Sequence, residues 1–218
     1  MPTAYFDLDK TLLARNSAGL WVRSELREGH ISWAVALRAS TWIARYQLGM
    51  ATMEYAVLRA IASLEGLPEQ DIADRTTAFW HREVRQLVRP GALKAVEEHR
   101  QRGDRLVLLT SSSVYLSRLA GEELGLDEIL CNRFEVRDGV FTGRPLGTLC
   151  FGAGKLEHAR DDADRHGEDL AEAFFYTDSR SDLPVMEVVG QPVAVNPDPR
   201  LRRHATRAGW PVVDWGSP

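Results

Sequence analysis

Ala4-Tyr5-Phe6-Asp7-Leu8-Asp9-Lys10-Thr11 stands at the start of this chain. A short apolar run ends in two acids separated by a single residue. Residues 3–8 read as a buried strand, so both acids lie at its C-terminal tip. Open α/β sheets bind ligands beyond the C-terminal ends of their strands. Burying one unpaired carboxylate is costly, and burying two close together costs more. The pair therefore calls for a cation, and later strand ends must supply the rest of the site.

The chain has 218 residues, enough for one medium α/β domain or a domain with an insertion. Hydrophobic residues make up 44%, which allows a real core, and the net charge is -4. The positive charge is nearly all arginine, with lysine only at Lys10, Lys94 and Lys155. Without a basic excess, no nucleic-acid partner is expected. Cys131 and Cys150 have no metal-ligand spacing, and a reduced, cytoplasmic chain is the simplest expectation. The N-terminus enters strand-like sequence without a signal pattern. No apolar stretch approaches the roughly 18–20 residues that span a membrane.

From Asn16 to His81 the pattern is helical, with breaks at Gly29-His30, Gly49 and Gly66-Leu67-Pro68. Such a block directly after a first strand predicts an inserted helical lid. Alternation then resumes. Helices are predicted over 91–101, 114–124, from Gly154 to His166, over Leu183–Val189 and over 199–208. Strands are predicted over Arg105–Thr110, Ala173–Thr177, Val193–Val195 and Val212-Val213, and a hairpin over 131–142 with its turn at Asp138-Gly139. Strands alternating with helices imply an α/β fold, a Rossmann-like, doubly wound, mostly parallel sheet.

The strand ends then converge on one edge. The first carries Asp7 and Asp9, the second Thr110-Ser111-Ser112-Ser113, and a later one Asp178 with Asp182 close behind. Gly152-Ala153-Gly154-Lys155 opens the helix after the hairpin. Acids, a hydroxyl beside free backbone N–H groups, and one ammonium suit a phosphoryl group held next to Mg²⁺. Each element also has a plainer reading. Thr110–Ser113 fits a loop capping the next helix, Lys155 a surface lysine, Asp178 a turn, Asp182 a helix cap and Ser17 another cap.

Taken in order, these motifs resemble the haloacid dehalogenase superfamily, in its phosphoserine-phosphatase-like branch (subfamily IB) with a helical cap after the first motif. The matching positions are Asp7-Leu8-Asp9-Lys10-Thr11, Thr110, Lys155 and Asp178-Ser179-Arg180-Ser181-Asp182. Ala194-Val195-Asn196-Pro197-Asp198 is similar to that branch as well. The resemblance implies a core at 1–14 and 85–218 and a cap at 15–84. It implies Asp7 as the nucleophile that becomes an aspartyl phosphate. Asp9 would serve as acid then base, its carbonyl also reaching the metal. Thr110 and the Ser111 N–H would hold phosphoryl oxygens, and Lys155 would offset the charge of Asp7 and phosphate. Asp178 would complete the Mg²⁺ shell, and Asp182 would orient water or Lys155. Asn16 stands where phosphoserine phosphatases carry a glutamate for the substrate ammonium. Arg59 matches their carboxylate-binding arginine, and Ser181 stands where they often carry asparagine.

The resulting expectation is a Mg²⁺-dependent phosphomonoester hydrolase acting on a small or medium phosphorylated metabolite. Phosphotransfer to an acceptor alcohol and a non-catalytic phosphate-binding role on the same fold remain open. The helical block also holds Trp21, Trp33, Trp42, Tyr46 and Tyr55. These fit cap core packing, a greasy substrate pocket or dimer face, or contact with a membrane surface.

Overall fold

The computed structural model describes residues 2–37, 41 and 53–218. At its centre lies β1 (Thr3–Phe6), every residue of it buried. Successive side chains of a strand point to opposite faces. Ala4 and Phe6 accordingly join one apolar cluster and Tyr5 the other. β2 (Arg105–Ser113) divides in the same way, Leu106 and Leu108 on the first face, Val107 and Leu109 on the second. A strand covered on both sides reads as continuous hydrophobic sequence, which is why these runs do not alternate. Full burial of a side chain such as Phe6 contributes roughly 1.5–3 kcal/mol.

The remaining strands are β3 (Glu128–Asn132), β6 (Phe174–Thr177), β7 (Gln191–Val195) and β8 (Val212–Val213). They form one six-stranded sheet in the order β3-β2-β1-β6-β7-β8, parallel throughout. Chain order runs outward to β3 on one side of β1 and to β8 on the other, so the topological switch point lies between β1 and β6. Ligand crevices form at such a point. The first face is covered by α4 (Pro90–Arg102) and α5 (Val114–Leu124). The second is covered by α6 (Ala153–His166), α7 (Leu183–Met186) and α8 (Pro199–Ala208).

Between β1 and α4 the chain leaves the sheet. It exits beside Leu13 and returns at Val88, where the two segments form an antiparallel bridge. The excursion carries α1 (Ser17–Arg27), a helical piece at 33–37, α2 (Met53–Ala62) and α3 (Glu69–Phe79). The hairpin β4 (Phe134–Arg137) and β5 (Val140–Pro145) attaches to it. Gly66 N–H donates to the Phe141 carbonyl, Phe141 N–H to Leu67 and Glu69 N–H to Gly139. Ile72, Tyr115 and Phe141 form a small apolar core at this junction.

Several expectations are corrected. The hairpin covers 134–145, not 131–142; Cys131 and Asn132 belong to β3, a parallel edge strand too short for an alternation signal. The turn itself is at Asp138-Gly139, where both φ values are positive (51° and 75°), as a two-residue hairpin turn demands. β1 stops at Phe6 because residues 8–12 coil into a wide turn. The helix expected to reach Val189 ends at Met186. Among the aromatics, Trp21 packs edge-on against Phe79 at 5.3 Å. Trp33 and Tyr55 are 78% and 44% exposed, so they are not cap core. Trp42, Tyr46 and Gly49 lie outside the described residues. Among the described residues, no helix is long and apolar enough to cross a membrane.

Candidate active site

The turn after β1 shapes the site. Leu12 N–H reaches back to the Asp7 carbonyl and Leu13 N–H to Leu8, closing wide loops around Asp9 and Lys10. Lys10 takes φ 61°, an uncommon value for a residue with a side chain. Thr11 is turned inward: its hydroxyl donates to Asp7 Oδ2 (3.2 Å) and accepts from the Asp178 N–H (3.0 Å). One threonine thereby ties the end of β1 to the end of β6 across the switch point.

Lys155 occupies the first turn of α6 and is 1% exposed. Its Nζ donates to Asp7 Oδ1 at 2.7 Å and to Asp182 Oδ2 at 2.8 Å. Burial works against the ammonium, but the Asp182 and Asp7 carboxylates outweigh it and hold Lys155 protonated, its pKa above the ordinary value. Burial pushes Asp7 up, with Lys155 opposing. Asp182 also accepts from Thr177 Oγ1 at 2.7 Å. It sits at the N-cap position of α7 but makes no side-chain cap bond; its carboxylate accepts instead from Lys155, Thr177 and the Ser181 hydroxyl.

Asp178 is 7% exposed. Its backbone is held by Thr11 and by the Asp198 N–H, while its carboxylate takes no hydrogen bond among the described residues. Burial, followed by the repulsion of Asp7, pushes it up to about 8. Lys10 and Lys155 pull against this rise, yet neither donates a hydrogen bond to the Asp178 carboxylate among the described residues, and burial and Asp7 prevail. Among the described residues, no three His, Cys, Asp or Glu side chains cluster as a metal-holding group. Asp7, Asp178 and the Asp9 carbonyl could together offer the oxygen donors that Mg²⁺ takes, with water or substrate oxygens filling the shell. The donor set fits that ion.

Asp9 faces another way. Its carboxylate accepts from the Ser17 N–H at 2.7 Å and the Ser17 hydroxyl at 3.1 Å. Burial raises its pKa, and these two bonds work against the rise. Ser17 is therefore not the helix cap. That place belongs to Asn16, whose Oδ1 accepts from the Gly19 N–H. Capping thus occupies an Asn16 atom expected to face substrate. Arg59 is exposed in the last turn of α2. Ser181 Oγ lies 2.9 Å from Ser179 Oγ.

Thr110 is 1% exposed at the end of the buried part of β2, and its Oγ1 accepts from the Ser112 N–H at 3.2 Å. Ser111 is half-buried beside it. The structure therefore brings Asp7, Lys155, Asp178 and Asp182 to one edge, with Thr110 and Ser111 at the end of the neighbouring strand. The supporting groups Thr11, Ser17, Thr177 and Asp198 were not legible as such. Asp198 caps α8 and also accepts from the Arg180 N–H at 2.8 Å, fixing the loop after β6.

Residues 4–187 match the model of the haloacid dehalogenase-like hydrolase family. An "inhibition of morphological differentiation protein" of Streptomyces azureus is 33% identical over 99% of this chain and 79% of its own length. A histidinol-phosphatase of Neisseria meningitidis is 28% identical over 97% of this chain and 98% of its own. A Bordetella pertussis protein of unknown function superposes with a TM-score of 0.91 at 31% identity, covering 99% of both chains. A phosphoserine phosphatase solved as a phospho-aspartyl intermediate analogue shares the fold, with a TM-score of 0.73 at 19% identity, over 99% of this chain and 94% of its own.

Proposed function

This chain belongs to the haloacid dehalogenase-like hydrolase family and is a phosphatase, and we propose that it hydrolyses small phosphomonoesters through an aspartyl phosphate on Asp7 with Mg²⁺ bound. The observation that carries this reading is the Lys155 ammonium held between Asp7 and Asp182 at the switch point, beside an Asp178 carboxylate that takes no hydrogen bond among the described residues.

Asp7 Oδ attacks phosphorus, and the P–O bond to the leaving alcohol breaks. Asp9 donates its proton to the departing oxygen, then takes one from the water that cleaves the acyl phosphate. Ser17 holds the Asp9 carboxylate in place through both steps. Thr110 Oγ1 and the Ser111 N–H hold phosphoryl oxygens, and Lys155 offsets the charge that accumulates as a dianion meets an anionic nucleophile. Asp7, Asp178 and the Asp9 carbonyl would hold Mg²⁺, which would supply further charge neutralisation. Asp182 keeps Lys155 aimed at Asp7. The helices between residues 15 and 84 act as a cap that excludes bulk water. The histidinol-phosphatase name of one relative makes histidinol phosphate a first candidate substrate.

The test is phosphate release from histidinol phosphate, phosphoserine, lysophosphatidic acid and p-nitrophenyl phosphate, with Mg²⁺ and with EDTA. Metal-dependent release from at least one small ester is expected. No release from any ester by folded protein would overturn the assignment.

A further inference from the structure

Asn132 ends β3 and is 1% exposed. Both ends of its amide are engaged by main-chain groups of fixed polarity. Nδ2 donates to the Ser111 carbonyl at 2.6 Å, and Oδ1 accepts from the Cys150 N–H at 2.8 Å. A carbonyl only accepts and an N–H only donates, so the amide can sit in one orientation alone.

The strand register explains why a pin is needed there. β2 and β3 pair regularly through Leu109↔Leu130, then resume at Ser113↔Asn132. Residues 110–112 lie in that interval opposite Cys131 alone, so the phosphate-binding stretch is a bulge that the ladder does not hold. The Asn132 side chain spans it. Its other end holds Cys150, in the loop that turns through Gly152 into the first turn of α6, where Lys155 sits. Cys150 is buried, and its thiol approaches the Leu130 carbonyl at 3.5 Å, so this loop is anchored to β3 at two points, Leu130 and Asn132.

We infer that Asn132 is a positioning residue, one amide that fixes the phosphoryl-binding bulge at Ser111 relative to the loop that delivers Lys155. This rests on the proposed phosphatase reading. Both polar atoms of the Asn132 amide are taken by main-chain groups, so it acts by setting the spacing between Ser111 and the lysine. Asp at this position keeps the acceptor for Cys150 but loses the donor for Ser111. Ala loses both.

The experiment compares wild type, Asn132→Asp and Asn132→Ala in Mg²⁺-dependent hydrolysis of p-nitrophenyl phosphate and in inhibition by orthovanadate. An inhibition constant does not depend on how much of a preparation is folded, so it separates positioning from stability. Both variants should lose about 10–100-fold in kcat/KM, as displacements of an ångström cost, and weaken vanadate by a similar factor. Variants that fold and match wild type within twofold in both quantities would overturn the inference while leaving the phosphatase reading intact. A wild type that neither turns over nor binds vanadate would remove that reading and the positioning role with it. Should neither variant fold, the wild type decides. Its three asparagines are Asn16, Asn132 and Asn196, so ¹⁵N-asparagine labelling gives three side-chain amide pairs. Vanadate should shift the Asn132 pair along its own binding curve, and an unmoved pair at saturation would contradict the role.

Discussion

Lys155 Nζ lies 2.7 Å from Asp7 Oδ1, in contact across 148 positions of sequence. With Asp182 on its other side, this buried ammonium faces two carboxylates. Lys155→Met should cost about 3–5 kcal/mol, because it strands buried charge rather than removing a surface pair. It should also lower turnover by at least about 10²-fold. Urea unfolding and phosphate release measure the two effects; a variant as stable and as active as wild type would show that the bridge is incidental.

Ser17 and Asn16 are neighbours with separable tasks. Ser17→Ala removes one of the two bonds to Asp9 and should lower kcat by about tenfold with little change in KM, part of the 10²–10⁴-fold that a positioned acid–base group supplies. Asn16→Ala removes a helix cap and should cost about 1 kcal/mol of stability while leaving KM within twofold. A large rise in KM for Asn16→Ala would instead place its side chain on the substrate.

Gly154 is required by contact. A Cβ there would stand 2.0 Å from the Leu149 carbonyl oxygen, a backbone atom that cannot swing aside. Gly154→Ala should destabilise by about 1–3 kcal/mol and displace the turn that carries Lys155, so activity falls as well. Thermal unfolding with parallel assays checks both, and an unaffected enzyme would mean that the loop relaxes freely.

His99 supplies a pH dependence away from the site. It is 1% exposed, with Nδ1 at 2.7 Å from Asp104 and Nε2 at 2.8 Å from the Tyr176 hydroxyl. Arg102 Nη2 also lies 2.5 Å from Nδ1, and Arg102 Nε donates to the same Asp104 carboxylate at 2.9 Å. Burial lowers the His99 pKa from 6.5, against the opposing pull of the Asp104 bond. A histidine depressed in the folded state contributes its full stability above 6.5 and loses it as pH falls toward the depressed value. The drop in Tm between pH 7 and pH 5 should therefore be smaller in His99→Gln than in wild type. An equal drop would assign the acid sensitivity to other groups.

Much of the fold was legible because buried parallel strands and their helices leave strong marks. The helix over 114–124 and the closing strand at Val212-Val213 fall where the pattern puts them. β3 did not, since Glu128–Asn132 is short and only partly apolar. In the site, Asp7, Lys155, Asp178 and Asp182 announce themselves as charges at strand and helix ends. Thr11, Ser17 and Asn132 do not, because a hydroxyl or amide that orients another group carries no local signature. Their partners lie at sequence separations from 4 to 167 residues and become visible only with the fold.

The most direct measurement is to quench the enzyme with acid during turnover of a small phosphomonoester, digest it and locate the phosphoryl group by mass spectrometry. The group is expected on the peptide containing Asp7, present with Mg²⁺ and absent with EDTA or in Asp7→Asn. A phosphoryl group on another residue, or full turnover by Asp7→Asn, would contradict the assignment of Asp7 as nucleophile.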